Sequence, residues 1–326
     1  MLGPLLFLIY INDLHTCVKY STTRHFADDT NLLYRVDKYK TRNRNIGRNL
    51  NIDLKSLNHW LLANKISLNS TKTEIIFFRR KGEEIPKTNI NLNGIKLVNS
   101  VEVKYVGIVF DEHLTFEPHK KILNAKLKRA NNLLAISRHY VPRDLLIQIY
   151  YGQFFSHLCY GCQLWGQNAN QLSQTFVLQK KAIRLISFAN YQAHTDPLFK
   201  DLKMLKIMDI VKMNNIIFVH NGLNNKAPKH FNDYFMIKQT HHDHQTINNP
   251  NSTYSIPKGS LILPQIETNI GKQQIKYVCS DNSALKLLST KYSQNCHSNE
   301  SWMQKMNIAK FKQVIKAHFL EQYGTT

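Results

Sequence analysis

The feature that most narrows what this chain can fold into is short: two strand-like stretches, Arg24 to Ala27 and Asn31 to Val36, separated only by Asp28-Asp29-Thr30. Such spacing predicts a β-hairpin. A tight hairpin turn favours Asn-Gly or Asp-Gly because its central residues need positive φ. Two adjacent carboxylates add mutual repulsion to a poor turn propensity. A bound divalent cation would compensate, since Mg²⁺ takes carboxylate oxygens and a phosphate-handling site can clamp such ions between nucleophile and leaving group. Taken alone, Asp-Asp is also a common solvated surface dipeptide, so the pair points to chemistry only in context.

Around the hairpin the patterning alternates between helix and strand. From Pro4 to about Asp13-Leu14 the sequence reads as a buried helix, with Pro tolerated in its first turn. The apolar run Leu5 to Ile11 falls well short of the ~20 residues that cross a bilayer and no basic segment precedes it, so neither a membrane span nor a signal peptide is expected. The chain enters this core-type segment with no lead-in, which reads as a truncation or an internal initiator. Residues 41–66 carry Leu50, Leu54, Leu57, Leu61 and Leu62 at helical spacing, read as one apolar face. A strand is expected over Thr73 to Phe78 and a hairpin over 89–110, turning at Gly94. Beyond Pro118 the texture is helical: 118–138, a second helix from Pro142, and a third over about 172–188. Helical segments continue over 191–236, a polar turn-rich linker covers 237–260, and residues 261–326 hold a strand-like piece near 274–279 and a helix near 303–320.

Charge enters the argument here. Lys and Arg number 43 against 22 Asp and Glu, a formal net charge of +21, which suggests a polyanionic partner. A 43 % hydrophobic content excludes disorder of the whole chain. Five scattered cysteines, an odd number, argue against a secreted disulfide scaffold and for an intracellular setting, nucleus or cytoplasm. Much of the positive charge clusters on the 118–138 helix, in Lys120, Lys121, Lys126, Lys128 and Arg129. For a single helix a solvated amphipathic face is the bland alternative to phosphate contact.

The order of motifs is specific. Phe26-Ala27-Asp28-Asp29, preceded by Leu2-Gly3-Pro4-Leu5-Leu6-Phe7 and its continuation to Leu14, closely resembles the reverse transcriptases of non-LTR (LINE-type) retrotransposons. Trp60 with Asn64 to Asn69 and Lys72 to Phe78 is similar to that family's next palm motif. Val103 to Ile108, running through Asp111 to His119, is similar to its primer-grip hairpin entering the thumb. Leu158 to Gly166, followed by Lys180 to Arg184, is similar to its post-thumb segment. The matches cover roughly residues 2–185. The resemblance implies an RNA-directed DNA polymerase that uses Mg²⁺ or Mn²⁺, with RNA template, DNA primer and dNTP as partners and no membrane. It assigns metal to Asp28 and Asp29, proton donation to Lys72, the nucleotide pocket to Leu2, Gly3 and Pro4, and the primer grip to Tyr105, Val106 and Gly107. Duplex backbone falls to Lys120, Lys121, Lys126, Lys128 and Arg129.

The same resemblance sets the expected fold: α+β, with a partial palm of antiparallel strands and packed helices over 1–115, a helical thumb over 116–190, and a helical tail. The family's palm also needs a third carboxylate from a strand well upstream of the pocket motif, together with fingers and a Gln-Gly pair before Leu2, and none is in this sequence. The expectation is a truncated element product, poor as a polymerase on its own. A basic nucleic-acid-binding remnant without chemistry, or a pseudogene translation with no stable role, stays open. Other candidates are weaker. Cys159-x-x-Cys162 has half a zinc spacing with no second pair, and a packing role is favoured. Cys279, Cys296 and His297 fit no standard knuckle, His241-His242-Asp243-His244 reads as a solvated loop, and no Walker-type loop occurs.

Overall fold

The computed structural model describes residues 2–36, 45–228, 231, 242–246, 249–256 and 307–323. The chain divides into two compact units, Met1–His119 and Lys120–Thr326. Both helices and short antiparallel strand pairs are present, compatible with the α+β class.

The first unit opens with α1 (Gly3–Ile11), Pro4 in its first turn, continued by a 3₁₀ turn over Asn12–Cys17. The expectation of a buried helix is corrected here. Leu2, Leu5, Leu6, Leu8 and Ile9 are between 49 % and 66 % exposed, and within α1 only Ile11 is buried. An apolar run with no polar face gives periodicity nothing with which to separate a core helix from a surface one.

Next come β1 (Thr22–Phe26) and β2 (Asp29–Leu33), antiparallel, with Phe26 opposite Asp29. The turn is therefore Ala27-Asp28, and Asp29 opens the second strand. Helix α2 (Ile46–Ala63) carries the expected leucine stripe, except that Leu62, next to Leu61 and so turned about 100° away from it, is 63 % exposed, and the stripe feeds two clusters. Leu57 and Leu61 pack with Ile11 and Leu14, while Leu54 packs with Ile90, Leu92 and Leu97. Leu32 of β2 lies against both clusters, so the hairpin is keyed into the core by one side chain. Burying a leucine fully contributes about 1.5–3 kcal/mol. The helix ends in a Schellman motif: Lys65 N–H donates to Leu62 O (3.0 Å), Ile66 N–H donates to Leu61 O (2.9 Å), and Lys65 takes φ 55°.

Two strand expectations need correction. Thr73 to Phe78 is not a paired strand. It makes one bridge, Ile75 with Asn99, beside a 2.7 Å bond from Ser100 N–H to Ile75 O. The single hairpin expected over 89–110 is two: β3 (Asn91–Leu92) with β4 (Ile95–Lys96), and β5 (Glu102–Tyr105) with β6 (Ile108–Asp111). Asn93-Gly94 and Val106-Gly107 are their turns, all four residues at positive φ (52°, 82°, 44° and 77°), which is the type I′ pattern. A β-branched Val at the first of these positions hid the second turn from the patterning, although the resemblance already places a hairpin over Val103 to Ile108.

The second unit is helical: α3 (Glu117–Ser137, which begins just before the boundary), α4 (Arg143–Ile149), a π-helical stretch Tyr150–Phe155 running into α5 (Ser156–Cys159), α6 (Cys162–Trp165), α7 (Ser173–Ile186), α8 (Asp196–Asp201) and α9 (Ile207–Leu223). The helix expected near 303–320 is α10 (Ile308–Glu321). Its core holds Tyr150, Phe154, Trp165, Phe199 and Phe311, all fully or almost fully buried. Buried Gln179 ties α7 to the start of α9. Its Nε2 donates to Tyr150 Oη (3.1 Å) and Leu205 O (2.9 Å), and its Oε1 accepts from Ile207 N–H (2.8 Å). Tyr323 ties α10 in, donating to Asp209 Oδ2 (2.5 Å) and accepting from Lys206 N–H (2.9 Å). Within the segment read as a linker, β7 (His242–Thr246) and β8 (Asn249–Ile256) pair as an antiparallel hairpin. The strand expected near 274–279, His241, Cys279, Cys296 and His297 lie outside the described residues. No helix among the described residues is long and apolar enough to cross a membrane.

Candidate catalytic hairpin and nucleic-acid interface

The β1–β2 turn places Asp28 and Asp29 side by side in sequence and both exposed. Ala27, ahead of them, takes φ 52°, a left-handed conformation that costs an L-residue roughly 1–2 kcal/mol. The turn is therefore held by its strands rather than by its own propensity. One pair further in, His25 Nδ1 and Thr30 Oγ1 sit 3.2 Å apart across the ladder. Among the described residues neither aspartate forms an ion pair, and no group of three or more His, Cys, Asp or Glu side chains converges. Two adjacent hard carboxylates suit an Mg²⁺-type cation, which is commonly held by one or two carboxylates with water and phosphate oxygens completing its shell.

The base of the hairpin is fixed by α2, in a way the sequence reading did not mark. Asp53 is fully buried. Its Oδ1 accepts from the N–H of Lys19 (2.8 Å) and Tyr20 (3.2 Å), and its Oδ2 from the N–H of Tyr20 (3.0 Å) and Ser21 (2.7 Å) and the Ser21 hydroxyl (2.6 Å). Three consecutive backbone N–H groups thus converge on one carboxylate just before β1. One helical turn away, Asn49 Nδ2 donates to Tyr34 Oη (3.0 Å) just after β2. The signal in the sequence was an Asp inside the leucine stripe, three residues after Leu50 and four before Leu57. Burial raises the pKa of the nearby Cys17 thiol; its own backbone hydrogen bond opposes this, and the Asp53 charge adds to the rise.

The other residues assigned by resemblance are placed as follows. Leu2, Gly3 and Pro4 form the exposed start of α1, and a Cβ built on Gly3 would meet open space. Lys72 ends an exposed 3₁₀ turn, Ser70–Lys72, and no hydrogen bond or ion pair among the described residues joins it to Asp28 or Asp29. Tyr105 and Val106 are half-buried and Gly107 exposed at the β5–β6 turn. Asp111 at the end of β6 organises the loop into α3. Its Oδ2 accepts from Thr115 N–H (3.0 Å) and Oγ1 (3.1 Å), and its Oδ1 from Phe116 N–H (2.6 Å), in a loop where Leu114 and Phe116 both take positive φ.

On α3, Lys121, Lys126, Lys128 and Arg129 are exposed, opposite the face that buries Leu123, Leu127 and Leu134. Lys120 is different. It is 5 % exposed and its ammonium donates to Gln171 Oε1, so it belongs to the packed side of the helix and not to the basic face. Asn131 Nδ2, donating to Leu178 O (2.9 Å), and the Thr175–Asn124 hydrogen bond (2.8 Å) fix α3 against α7. On α7, Lys181 is exposed, Lys180 lies over the Phe176 ring (4.5 Å), and Arg184 Nε donates to Ala193 O (2.9 Å). Burial pushes the Cys159 and Cys162 thiols up to about 11 and about 12, away from the thiolate form a metal would take.

The chain is 26 % identical over 228 residues to an RNA-directed DNA polymerase from mobile element jockey of Drosophila melanogaster, covering 66 % of this chain and 24 % of that protein. It is 30 % identical over 164 residues to the jockey RNA-directed DNA polymerase of Drosophila funebris, covering 49 % and 18 %. A third relative is the probable RNA-directed DNA polymerase from transposon X-element of Drosophila melanogaster, at 26 % over 218 residues, covering 64 % and 23 %. The chain thus spans about a quarter or less of the length of the curated relatives it matches. No family model and no solved structure matches it. Its curated relatives are RNA-directed DNA polymerases of Drosophila transposable elements, the class that its motif order resembles.

Proposed function

We propose that this chain carries the metal-binding hairpin and the duplex-gripping helices of an RNA-directed DNA polymerase from a non-LTR retrotransposon, the class that extends a DNA primer with dNTPs against an RNA template. The observation that carries the reading is the exposed Asp28-Asp29 pair at a two-residue hairpin turn, with Leu2-Gly3-Pro4 before it and Lys72 after it in the family's order. The names of the relatives support the same class.

In this reading Asp28 and Asp29 hold Mg²⁺ or Mn²⁺ in a two-metal nucleotidyl transfer. When bound, such cations lower the pKa of an attacking hydroxyl and neutralise charge developing on phosphate. Lys72 donates a proton to the leaving pyrophosphate. Gly3, with open space where a side chain would stand, leaves room for a nucleotide beside Leu2 and Pro4. Tyr105, Val106 and Gly107 hold the primer strand, and Lys121, Lys126, Lys128 and Arg129 take the duplex backbone.

The test is Mn²⁺ binding by the purified 326-residue chain, read from water-proton relaxation. Binding that is lost in both Asp28→Asn and Asp29→Asn supports the reading, and binding that survives both overturns it. Primer extension on an RNA template, abolished by Asp28→Ala, would carry the reading through to catalysis by this chain alone.

A further inference from the structure

Asn49 and Asp53 stand at i and i+4 on α2, hence on one side of the helix. Each bonds to a residue just outside the outermost pair of the β1–β2 ladder, Thr22 with Leu33: Asp53 to Ser21 on the way in, Asn49 to Tyr34 on the way out. This ladder is a two-stranded sheet. An isolated hairpin is marginal in water, so its bearing depends on what holds its base.

We propose that Asp53 is the positioning residue of the hairpin, with Asn49 as its companion. Its carboxylate fixes the chain at Lys19, Tyr20 and Ser21, and through the five-residue lever of β1 it sets where Asp28 and Asp29 lie. This rests on the reading of those two residues as metal ligands. The chemistry requires a carboxylate. Both oxygens of Asp53 accept and none of its contacts donates from it, so an amide would turn an N–H group toward converging N–H groups. A buried charge of this kind persists because charge-assisted hydrogen bonds from several donors replace its hydration. Purely local stabilisation of α2 does not account for the arrangement, since every partner of Asp53 lies more than thirty residues earlier in the chain, at the foot of the hairpin.

Two readouts on the full chain test this, amide hydrogen exchange resolved by segment and Mn²⁺ affinity. Asp53→Asn accelerates exchange across residues 19–34 about tenfold while α2 and the second unit keep their protection. It weakens Mn²⁺ binding by about tenfold, as loss of an outer-shell support does. Ser21→Ala and Tyr34→Phe each remove one bond at the foot of the hairpin and produce smaller changes of the same kind. They carry the test if Asp53→Asn does not fold. Unchanged exchange over 19–34 in these variants overturns the proposal. So does faster exchange with unaltered Mn²⁺ affinity, which would make Asp53 a structural anchor only. Failure of the metal reading itself shows separately, as Mn²⁺ binding indifferent to Asp28→Asn and Asp29→Asn.

Discussion

Asp111 is a carboxylate whose partners make a pH prediction. Burial alone would raise its pKa from the ordinary value of 3.8, but the N–H groups of Thr115 and Phe116 and the Thr115 hydroxyl favour the charged form more strongly, and the net shift is downward. A lowered native pKa means that the unfolded chain binds the proton more readily. The contribution of Asp111 is therefore complete above the ordinary Asp range and is lost as pH falls through and below it. Asp111→Ala should cost about 1–3 kcal/mol in urea unfolding at pH 7, because it leaves half-buried N–H donors without their acceptor, and the gap between variant and parent should narrow toward pH 3. A gap that stays constant with pH would contradict the assignment. The hairpin that carries Asp28 and Asp29 was legible in the sequence because its signal is local, two short strands with a tight turn between them. Asp53 and Asp111 were not, since their partners are mainly backbone N–H groups, which leave no side-chain signature, and those of Asp53 lie far away in the chain.

At the scale of elements, periodicity succeeded where one face differs from the other and failed where it does not. The α2 stripe was readable because polar residues occupy its other side. In α1, apolar almost throughout, the helix was readable and its burial was not. An apolar face of this kind on a surface favours association. Dilute chain should therefore self-associate in a concentration-dependent way by analytical ultracentrifugation, and Leu5→Gln with Ile9→Lys should reduce this while leaving far-UV circular dichroism unchanged. The β5–β6 turn yields a second prediction. Val106 at φ 44° is a β-branched residue in the left-handed region, and strain of this sort is commonly retained at functional sites. Val106→Asn makes an Asn-Gly turn and should raise stability by about 1 kcal/mol in denaturant melts. Weaker binding of a primer–template duplex by the same variant would mark the valine as kept for contact rather than for folding.

For the whole molecule the net charge of +21 fixes that a polyanion is attracted but not where it is held. Lys120 illustrates the gap: it belongs to the basic cluster of the sequence and to the packed side of the folded helix. The exposed set Lys121, Lys126, Lys128 and Arg129 is a more specific claim than total charge, and it can be separated from it. If these four residues contact duplex phosphates, changing all four to Gln removes up to four counterion-releasing contacts, and the slope of log affinity against log salt concentration falls by about 3–4. A control chain with Lys55, Lys81, Lys87 and Lys96 changed to Gln loses the same four charges, all exposed and all in the first unit. Long-range attraction, screened beyond about 10 Å at 0.1 M salt, weakens by a similar amount in both chains, but only the α3 set gives up direct contacts. Filter-binding titrations with a primer–template duplex should therefore show a much smaller change of slope for the control. Equal slopes for the two variants would mean that the charge acts as a diffuse field and that α3 is not the surface on which the duplex lies.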